Sequence, residues 1–377
     1  MANPAPFGKP QPPGHPTFVR NDICGNLAML YPCRMSGTVS FARVRANHLV
    51  MPMSSPALLI ATTACALVMG FALNQGSTCA VSAARELVLE RRSRLTIGFA
   101  IAVSAAGLVW LGLTWFGVAD VALAGELPIR WPLFVGAGLL GLGAVINDGC
   151  LLGTIARIGD GEVRFLALPV GLAIGFAGTG QLPLPVTPPA ATNPLAHVSE
   201  VGLVVVLIFV LALVGGWRWL RRGGDQPQGA RWSIGLAMAV LGVSGAALFA
   251  LAPGWSYADV VQHGVAPVGM MGVVTGPAGA LAGAALLAGA ILAGLQTRRF
   301  RFQMPRAATL LRSVAGGAVM AAGAAMVPGG NDTVLLAALP AATLSGLVGY
   351  LVMTGTVVGL LIAARTGWPA VRRALRR

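Results

Sequence analysis

The sequence predicts an all-α polytopic membrane protein with about nine transmembrane helices, some of them broken into half-helices. Two observations carry this prediction. Only 10% of the 377 residues are charged and 56% are hydrophobic, whereas soluble domains carry roughly 25% charged residues. From Pro56 onward, apolar runs alternate with short loops in which the arginines concentrate. The net charge of +14 therefore does not indicate a nucleic-acid-binding surface.

Residues 1–52 differ from the rest of the chain. They are rich in proline, show no apolar periodicity and lack the apolar core of a signal peptide. They are either a disordered tail or an over-called extension whose natural start is Met51 or Met53. After them, the sequence predicts a transmembrane domain over 53–364 and a basic tail over 365–377.

Two of the predicted crossings are longer than the about 20 apolar residues that a straight crossing needs. Each of these two is expected to contain a helix, an unwound turn and a half-helix. The predicted crossings are 56–90 (broken), 95–117, 132–156 (broken), 165–180, 199–217, 232–252, 273–296, 308–327 and 341–364.

Arginine placement predicts the orientation of these crossings. Every arginine after Pro56 except Arg130 lies in alternate loops or in the tail. Because cytoplasmic loops carry an excess of Lys and Arg, these loops and the C-terminus are expected on the cytoplasmic side of a bacterial inner membrane. The crossings then group as repeat one (56–180), a linking helix (199–217) and repeat two (232–364). Inverted repeats of this kind place a substrate site near the bilayer midplane.

Polar residues interrupt the apolar runs at four places, two in each repeat. Polar groups in a membrane interior are unfavourable and usually line a cavity or a pathway. Each interruption combines glycine or proline with a capping residue and an apolar half-helix, whose free N–H groups suit an anion. The interruptions are 74–79, 147–150, 263–269 and 328–333.

The residues that open the half-helices are expected to be N-caps, because Ser, Thr and Asp side chains accept hydrogen bonds from first-turn N–H groups. Ser77 or Thr78 is expected to cap the first half-helix. Asp148 is expected to cap the second, and Asp332 the half-helix 333–339. An intramembrane carboxylate is also a functional candidate, so proton coupling is the alternative role for both aspartates.

Cys79 and Cys150 are expected in the first turns of the half-helices that follow the first two interruptions. A neutral thiol there is a weak donor that can meet a soft, sulfur-bearing anion without holding it tightly. The alternative is that both are small core residues, as Cys65 in a straight helix is expected to be. The five cysteines form no CxxC pair and no metal-ligand spacing, so the sequence predicts no metal site and no cofactor.

Uncharged amides and hydroxyls accompany the thiols at the interruptions, and a histidine follows an outer loop at a candidate entrance. The candidate substrate-path residues are Asn74, Gln75, Thr78, Cys79, Asn147, Asp148, Cys150, His263, Asn331, Asp332 and Thr333.

Two spaced patterns stand at the first pair of interruptions. They are Gly70-x3-Asn74-x-Gly76-x2-Cys79-x2-Ser82-x2-Arg85 and Asp148-Gly149-Cys150-x2-Gly153-x3-Arg157-x-Gly159-x-Gly161-x3-Arg164-Phe165. Both patterns, with the order of spans and breaks from about 56 to 364, resemble the YeeE/YedE sulfur-transport family. The resemblance implies thiosulfate uptake along a central path, on which cysteines hand the ion on by S–H hydrogen bonds. Cys79 and Cys150 match two such positions.

The chain departs from that family in its second half. The family's thiosulfate importers carry a further cysteine there, whereas this chain has Gly329-Gly330-Asn331-Asp332-Thr333. Either Asn331 or Thr333 replaces the missing donor, or the substrate differs from thiosulfate.

The leading hypothesis is a transporter, not an enzyme, for uptake of an inorganic sulfur oxyanion. One rival is a membrane thiol or persulfide oxidoreductase that uses Cys79 and Cys150. The other is a non-transporting anchor for soluble sulfur-handling proteins. The expected partners are a small inorganic sulfur anion, the lipid bilayer and a cytoplasmic sulfurtransferase-like carrier, and no nucleic acid is expected.

Overall fold

The computed structural model describes residues 56–117, 122–180, 193–222, 232–253, 255–265, 277–327 and 329–366. All of them belong to the unit Met53–Arg377. The predicted extension, residues 1–52, and nearly all of the predicted basic tail lie outside the described residues.

The described residues form α-helices and no β-strand. The helices are α1 (Pro56–Gln75), α2 (Ala80–Arg85), α3 (Arg94–Trp115), α4 (Trp131–Asn147), α5 (Leu151–Gly159), α6 (Leu168–Thr179), α7 (Glu200–Arg222), α8 (Ile234–Leu251), α9 (Tyr257–Val265), α10 (Pro277–Gln296), α11 (Ala307–Met326), α12 (Gly330–Thr333) and α13 (Leu344–Arg365). The π-helical turns Glu86–Glu90 and Val334–Ala338 continue α2 and α12, and the 3-10 turns Val163–Ala167 and Pro194–Ala196 precede α6 and α7.

Within these ranges, eight segments are long and apolar enough to cross a membrane. The shorter apolar helix Val163–Thr179 takes the place of the predicted crossing 165–180. The prediction of an all-α, multi-pass membrane protein is therefore confirmed. The eight segments are Pro56–Glu90, Arg94–Trp115, Trp131–Gly159, Glu200–Arg222, Ile234–Leu251, Ala278–Gln296, Ala307–Met326 and Leu344–Arg365.

The two longest segments are broken at the polar residues that the sequence places inside them. Between α1 and α2, Ser77 adopts the left-handed conformation with φ 48°. Between α4 and α5, Asp148 does the same with φ 65°. A left-handed residue ends a right-handed helix, and serine and aspartate can take this conformation in a turn. Each long segment is therefore a helix followed by a half-helix.

The predicted N-caps of the first two half-helices are wrong. Cys79, and neither Ser77 nor Thr78, is the N-cap of α2. Cys150, and not Asp148, is the N-cap of α5. The reason is that Ser77 and Asp148, being left-handed, belong to the turn that ends the preceding helix. Each thiol therefore stands at the start of its half-helix rather than inside the first turn.

The predicted cap of the fourth break is also wrong. Gly329, with φ 80°, is the N-cap of α12, and Asp332 lies inside that helix. Glycine takes the left-handed conformation without steric penalty, so the half-helix begins earlier than the predicted range 333–339. The Asp332 carboxylate is thereby free to contact another helix.

Helix pairs recur in the two halves of the domain. Helix α1 packs on α10 as α8 packs on α3, and α6 packs on α11 as α13 packs on α4. The half-helix α2 contacts α13, and its counterpart α9 contacts α6. Helices α1–α6 therefore pair in the same pattern as α8–α13, while α7 packs mainly against α3. The opposite orientation of the two repeats in a membrane stays a prediction.

Glycines allow α1 and α10 to approach closely. A Cβ atom on Gly70 would overlap the carbonyl of Leu286, and one on Gly289 would overlap the carbonyl of Leu67. Small residues of this kind let membrane helices pack backbone against backbone. The contact fixes α1 just before its end, where the first break begins.

Candidate functional site

The first two breaks bring two thiols together in the interior of the domain. Cys79 Sγ and Cys150 Sγ lie 4.0 Å apart, and the two residues are only 3% and 2% exposed. Both cysteines are free thiols. Since each is the N-cap of its half-helix, the pair lies where the N-termini of α2 and α5 meet.

The sulfur of Cys150 is an acceptor for both half-helices. The N–H of Ala80, in α2, and the N–H of Gly153, in α5, each donate to Cys150 Sγ over 3.4 Å. First-turn N–H groups have no partner within their own helix, and they form the positive end of the helix dipole. One sulfur therefore satisfies donors from two helix ends, and its own S–H is directed at Cys79.

Gly153 makes room for the side chain of Cys79. A Cβ atom on Gly153 would lie 2.6 Å from Cys79 Cβ and would overlap the Cys79 sulfur. Any residue larger than glycine would therefore push α5 away from α2. A glycine of the second break thus sets the separation of the two thiols.

The carboxylate of Asp148 is the centre of an ion cluster beside the thiols. Its partners are Arg85 at 2.6 Å, Arg157 at 3.3 Å and Arg164 at 3.1 Å. Glu162 contacts two of the same guanidinium groups, at 3.8 Å and 3.3 Å. Asp148 therefore joins the ends of both half-helices and the turn that follows α5, instead of capping α5 as the sequence predicted.

The ring of Phe165 fixes two of these arginines. It is fully buried, and the guanidinium carbons of Arg164 and Arg157 lie 4.1 Å and 5.4 Å from its centroid. Cations are attracted to the face of an aromatic ring. The ring thus holds the planes of the guanidinium groups and leaves their N–H edges directed at carboxylates.

Asn74, a predicted hydrogen-bond donor for the substrate, forms its hydrogen bonds with other parts of the protein. Its Nδ2 donates to Ala156 O and to Asp160 Oδ1, both over 2.9 Å, and its Oδ1 accepts from Arg299 Nη2 over 2.9 Å. An amide nitrogen carries two hydrogens, so both are used. Asn74 ties the end of α1 to α5 and to the segment after α10.

Asn147 is similarly engaged at the second break. Its Nδ2 donates to Gly149 O over 2.8 Å and to Thr154 Oγ1 over 3.0 Å. Its Oδ1 has no hydrogen-bond partner among the described residues. The Asn147 atom without a partner among the described residues is therefore a hydrogen-bond acceptor. It would bind a hydrogen-bond donor rather than an anion.

Gln75 and Thr78 are fully buried at the first break. Thr78 Oγ1 contacts Met238 Sδ at 3.6 Å, which joins the break to α8. Ser77 Oγ accepts from Arg299 Nη1 at 3.3 Å. The first break is thus held by contacts from the second half of the chain.

Asp332, on α12, contacts the start of α9 in the second half of the chain. Its Oδ2 accepts the N–H of Tyr257, the first residue of α9, over 3.3 Å. Asp332 is 2% exposed, and its Oδ1 has no hydrogen-bond partner in the described part of the chain.

The remaining predicted path residues of the second half lie on α12 and α9. Asn331 Oδ1 and Thr333 Oγ1 are buried without a hydrogen-bond partner among the residues that the structure describes. His263 lies on α9, and its side chain is outside the described part. The structure therefore brings Cys79 and Cys150 together, with the α12 residues in a separate group.

A cavity of about 390 Å³ opens beside α12. Its polar lining includes Asp259, Thr333 and Ser345 among mainly apolar side chains. Trp110 and Trp255 also line it, and their indole N–H groups donate to backbone carbonyls. The tryptophans therefore present apolar surface to the cavity, and Thr333 is one of the few polar residues in its lining.

Sequence reasoning misses the roles of several residues at this site. It includes Arg85, Arg157 and Arg164 in the charge of inner loops and in the two spaced patterns but predicts no contact for them, and it predicts no contact for Gly153 or Tyr257. One signal is present: an arginine follows each of the two cysteines by about two helical turns. Such spacing places both arginines at the ends of half-helices whose starts carry the thiols.

The donors at this site are thiols, backbone N–H groups and guanidinium groups. The described residues contain no group of three or more His, Cys, Asp or Glu side chains that could hold a metal ion. Hydrogen-bond donors and positive charges are instead the groups that bind oxyanions.

Comparison with known proteins shows that the candidate site lies within a longer region of similarity to a known family. A family model described as sulphur transport matches residues 75–359. The probable transporter YedE of Salmonella typhimurium is 28% identical over 172 residues, which cover 42% of this chain and 41% of that protein. The match thus spans less than half of the length of that relative. Both thiols and the ion cluster lie within residues 75–359.

Proposed function

Because the chain belongs to the sulphur transport (YeeE/YedE) family, we propose that it transports an inorganic sulfur oxyanion across the membrane. Thiosulfate is the substrate that we favour. We further propose that the protein lies in a bacterial inner membrane with its C-terminus in the cytoplasm, and that it takes the anion up without converting it.

One observation carries this proposal. Cys79 Sγ and Cys150 Sγ lie 4.0 Å apart at the meeting point of two half-helix N-termini, inside segments long enough to cross a membrane. Polar groups at such positions are unfavourable unless they serve a pathway. A dry structural core would not require two thiols and two helix ends to converge.

The thiols act as donors in this proposal. A thiosulfate ion that approaches the pair displaces the weak contact between the two sulfurs and accepts S–H and N–H hydrogen bonds instead. Ala80 and Gly153, whose N–H groups donate to Cys150 in the structure, supply the backbone donors. Because S–H is a weak donor, the ion is held loosely enough to move on.

The cavity beside α12 is the entrance in this proposal. It provides space for a small anion, and the Thr333 hydroxyl, which has no hydrogen-bond partner among the described residues, supplies a donor. Thr333 would thus take the position of the third thiol that this chain lacks. Asn331, whose Oδ1 is an acceptor, is less suited to that role.

Uptake must overcome the membrane potential. Moving one negative charge into an inside-negative cell costs about 2.3 kcal/mol per 100 mV, and a dianion costs about twice as much. Either protons accompany the ion or consumption in the cytoplasm keeps its inside concentration low. A cytoplasmic sulfurtransferase-like carrier that accepts the sulfur would provide the second route.

The decisive experiment is uptake by the purified full chain in liposomes. We expect labelled thiosulfate to accumulate faster than sulfate, and we expect Cys150→Ser and Cys79→Ser to lose most of this flux. Cys65→Ser is the matched control, because Cys65 is a free, half-buried thiol on α1 away from both breaks. Absence of thiosulfate flux, or an equal loss in the Cys65 variant, would overturn the proposal.

The short distance between the thiols also favours one rival, a membrane thiol or persulfide oxidoreductase. That function predicts that the purified protein, with a small dithiol as the electron donor that re-reduces the Cys79–Cys150 disulfide, accelerates the reduction of oxidised glutathione and that Cys150→Ser abolishes this turnover. A transporter predicts no such turnover. A non-transporting anchor, the other alternative, predicts neither disulfide reduction nor thiosulfate flux.

A further inference from the structure

The arginines around Asp148 carry more positive charge than the neighbouring carboxylates neutralise. Arg85, Arg157 and Arg164 face Asp148 and one glutamate, Glu162, which leaves one positive charge in excess. The side chains of the three arginines are no more than 32% exposed. Charges in such a partly buried site interact more strongly than charges in water.

This excess charge lies next to the thiol pair. A single residue separates Asp148 from Cys150, so their Cα atoms are at most about 7 Å apart. Two of the three arginines, Arg85 and Arg157, are on the same half-helices whose N-caps are the thiols. An anion that leaves the thiols therefore meets these guanidinium groups within a short distance.

The geometry of the cluster suits an oxyanion. Guanidinium groups are planar forks that bind two oxygens of a carboxylate, phosphate or similar anion. The Phe165 ring holds the planes of Arg157 and Arg164, so their N–H edges stay in place when the anion between them changes. The Asp148 carboxylate is itself an oxyanion bound by these guanidinium groups, with Arg85 at Oδ1 and both Arg157 and Arg164 at Oδ2.

We propose that Arg85, Arg157 and Arg164 form an anion-binding site beside the thiol pair, which Asp148 occupies as a displaceable internal counter-ion. This inference rests on the proposed function, because the ligand is the same sulfur oxyanion once it has passed the thiols. The arriving ion displaces the Asp148 carboxylate from the arginines. When the carboxylate binds the arginines again, it displaces the ion, which is thereby released. Asp148 therefore weakens binding and speeds release.

The test is the affinity of the purified full chain in detergent for thiosulfate and for sulfate, measured by isothermal titration calorimetry at constant ionic strength. Asp148→Asn removes the competing charge, so we expect its Kd for both anions to fall by roughly tenfold. We expect the same variant to transport more slowly in liposomes, because release is slower. The matched control is Glu200→Gln, which changes the net charge equally on α7, away from the cluster, and should leave Kd unchanged.

An unchanged or higher Kd in Asp148→Asn would overturn the inference, as would an equal fall in the Glu200 control. If Asp148→Asn does not fold, Arg85→Gln decides, because it should raise Kd by roughly tenfold and an unchanged Kd would overturn the site. Thiosulfate flux in the unaltered protein tests the proposed function separately. If the unaltered protein transports thiosulfate but Asp148→Asn leaves the Kd unchanged, only the proposed anion-binding site is refuted. If Asp148→Asn binds the anions more tightly but the unaltered protein shows no thiosulfate flux, only the proposed transport is refuted.

Discussion

The Cys150 sulfur accepts the N–H of Ala80 over 3.4 Å, and this bond fixes the second break to the first residue of the half-helix at the first break. The second half of the chain contains the same arrangement. There, Asp332 accepts the N–H of Tyr257, the first residue of α9, over 3.3 Å. In each half, a side chain from the later break satisfies the free N–H of the earlier half-helix.

The difference between the two acceptors has a chemical consequence. In the first half the acceptor is a thiol, which can also donate, whereas in the second half it is a carboxylate, which when ionised can only accept. A path for an anion is therefore better supplied with donors at Cys150 than at Asp332. This agrees with the assignment of Thr333, rather than Asp332, as the donor near the cavity.

The contact between Gly153 and Cys79 leads to the first prediction. Gly153→Ala would place a Cβ atom against the Cys79 side chain, at 2.6 Å from its Cβ, so α5 must shift or the thiol must rotate. We expect a loss of stability of about 1–3 kcal/mol and a lower rate of thiosulfate uptake. The measurements are the melting temperature in detergent and the flux in liposomes.

Gly355→Ala is the matched control for that substitution. Gly355 lies on α13, and a Cβ atom there would meet nothing within 4 Å. We expect this variant to melt at the same temperature as the unaltered protein or slightly higher, because alanine favours the helix. Equal behaviour of the two variants would show that the separation of the thiols does not depend on Gly153.

The positions of the crossings and of the breaks at 74–79, 147–150 and 328–333 could be predicted from the sequence. The predicted break 263–269 lies mostly outside the described residues, and its first three residues belong to α9, a helix that the sequence does not predict. Apolar runs of about 20 residues predict crossings directly, and the polar turn at Asn147-Asp148-Gly149 stands out within such a run. The caps could not be predicted in the same way. Aspartate is favoured both as an N-cap and in a left-handed turn, and only the backbone shows that Asp148 takes the second role.

The ion cluster could not be predicted from the sequence, for a different reason. Arg85 lies far from Asp148 along the chain, and the positive-inside pattern already accounts for arginines at the ends of these segments. Asn74 is a similar case. Its polar side chain in an apolar run predicts a pathway or a structural bond equally well, and only the contacts with Asp160 and Arg299 show the structural bond.

Oxidative cross-linking of the two thiols is the second prediction. Cys79 Sγ and Cys150 Sγ are 4.0 Å apart, so we expect diamide to oxidise them to a disulfide, taking up the two electrons and two protons that the thiols lose. The experiment uses a chain with Cys24→Ser, Cys33→Ser and Cys65→Ser. Mass spectrometry of the digested chain should show the joined peptides, and dithiothreitol should restore uptake after oxidation has reduced it.

A further Cys150→Ser substitution in that chain is the control for cross-linking and should abolish the joined peptides. If both thiols can still be alkylated after the chain has been treated with diamide and then unfolded, the two sulfurs do not face each other in the membrane. That result would contradict the placement of Cys79 against Cys150.

Asn74 is expected to stabilise the fold rather than to bind the substrate. Asn74→Asp places a carboxylate where Nδ2 donates to Ala156 O and Asp160 Oδ1, so two acceptors and a like charge would meet. We expect a loss of at least about 1–3 kcal/mol, which is the penalty for a buried polar group left without its partner. Asn74→Ala should be less harmful because it adds no charge.

The measurement for these variants is the melting temperature, with thiosulfate affinity as the second readout. A structural role predicts that Asn74→Ala, where it folds, binds thiosulfate as tightly as the unaltered protein. Weaker binding at an unchanged melting temperature would restore Asn74 to the substrate path.

Substitution of Thr333 distinguishes an effect on substrate binding from an effect on stability most clearly. Thr333 is among the residues that line the cavity, and its Oγ1 has no hydrogen-bond partner in the described part of the chain. Thr333→Val replaces this hydroxyl with a methyl group of nearly the same size. A buried hydroxyl without a partner does not stabilise the fold, and we expect the melting temperature to stay the same or to rise. Thiosulfate uptake should fall, because the anion loses a donor near its entrance.

Thr356→Val is the control for Thr333→Val. Thr356 Oγ1 donates to Val352 O within α13 over 2.8 Å, so this substitution should leave uptake unchanged. Full uptake in Thr333→Val would remove Thr333 as the replacement for the third thiol, whereas a fall in melting temperature would mean that the hydroxyl has a structural partner.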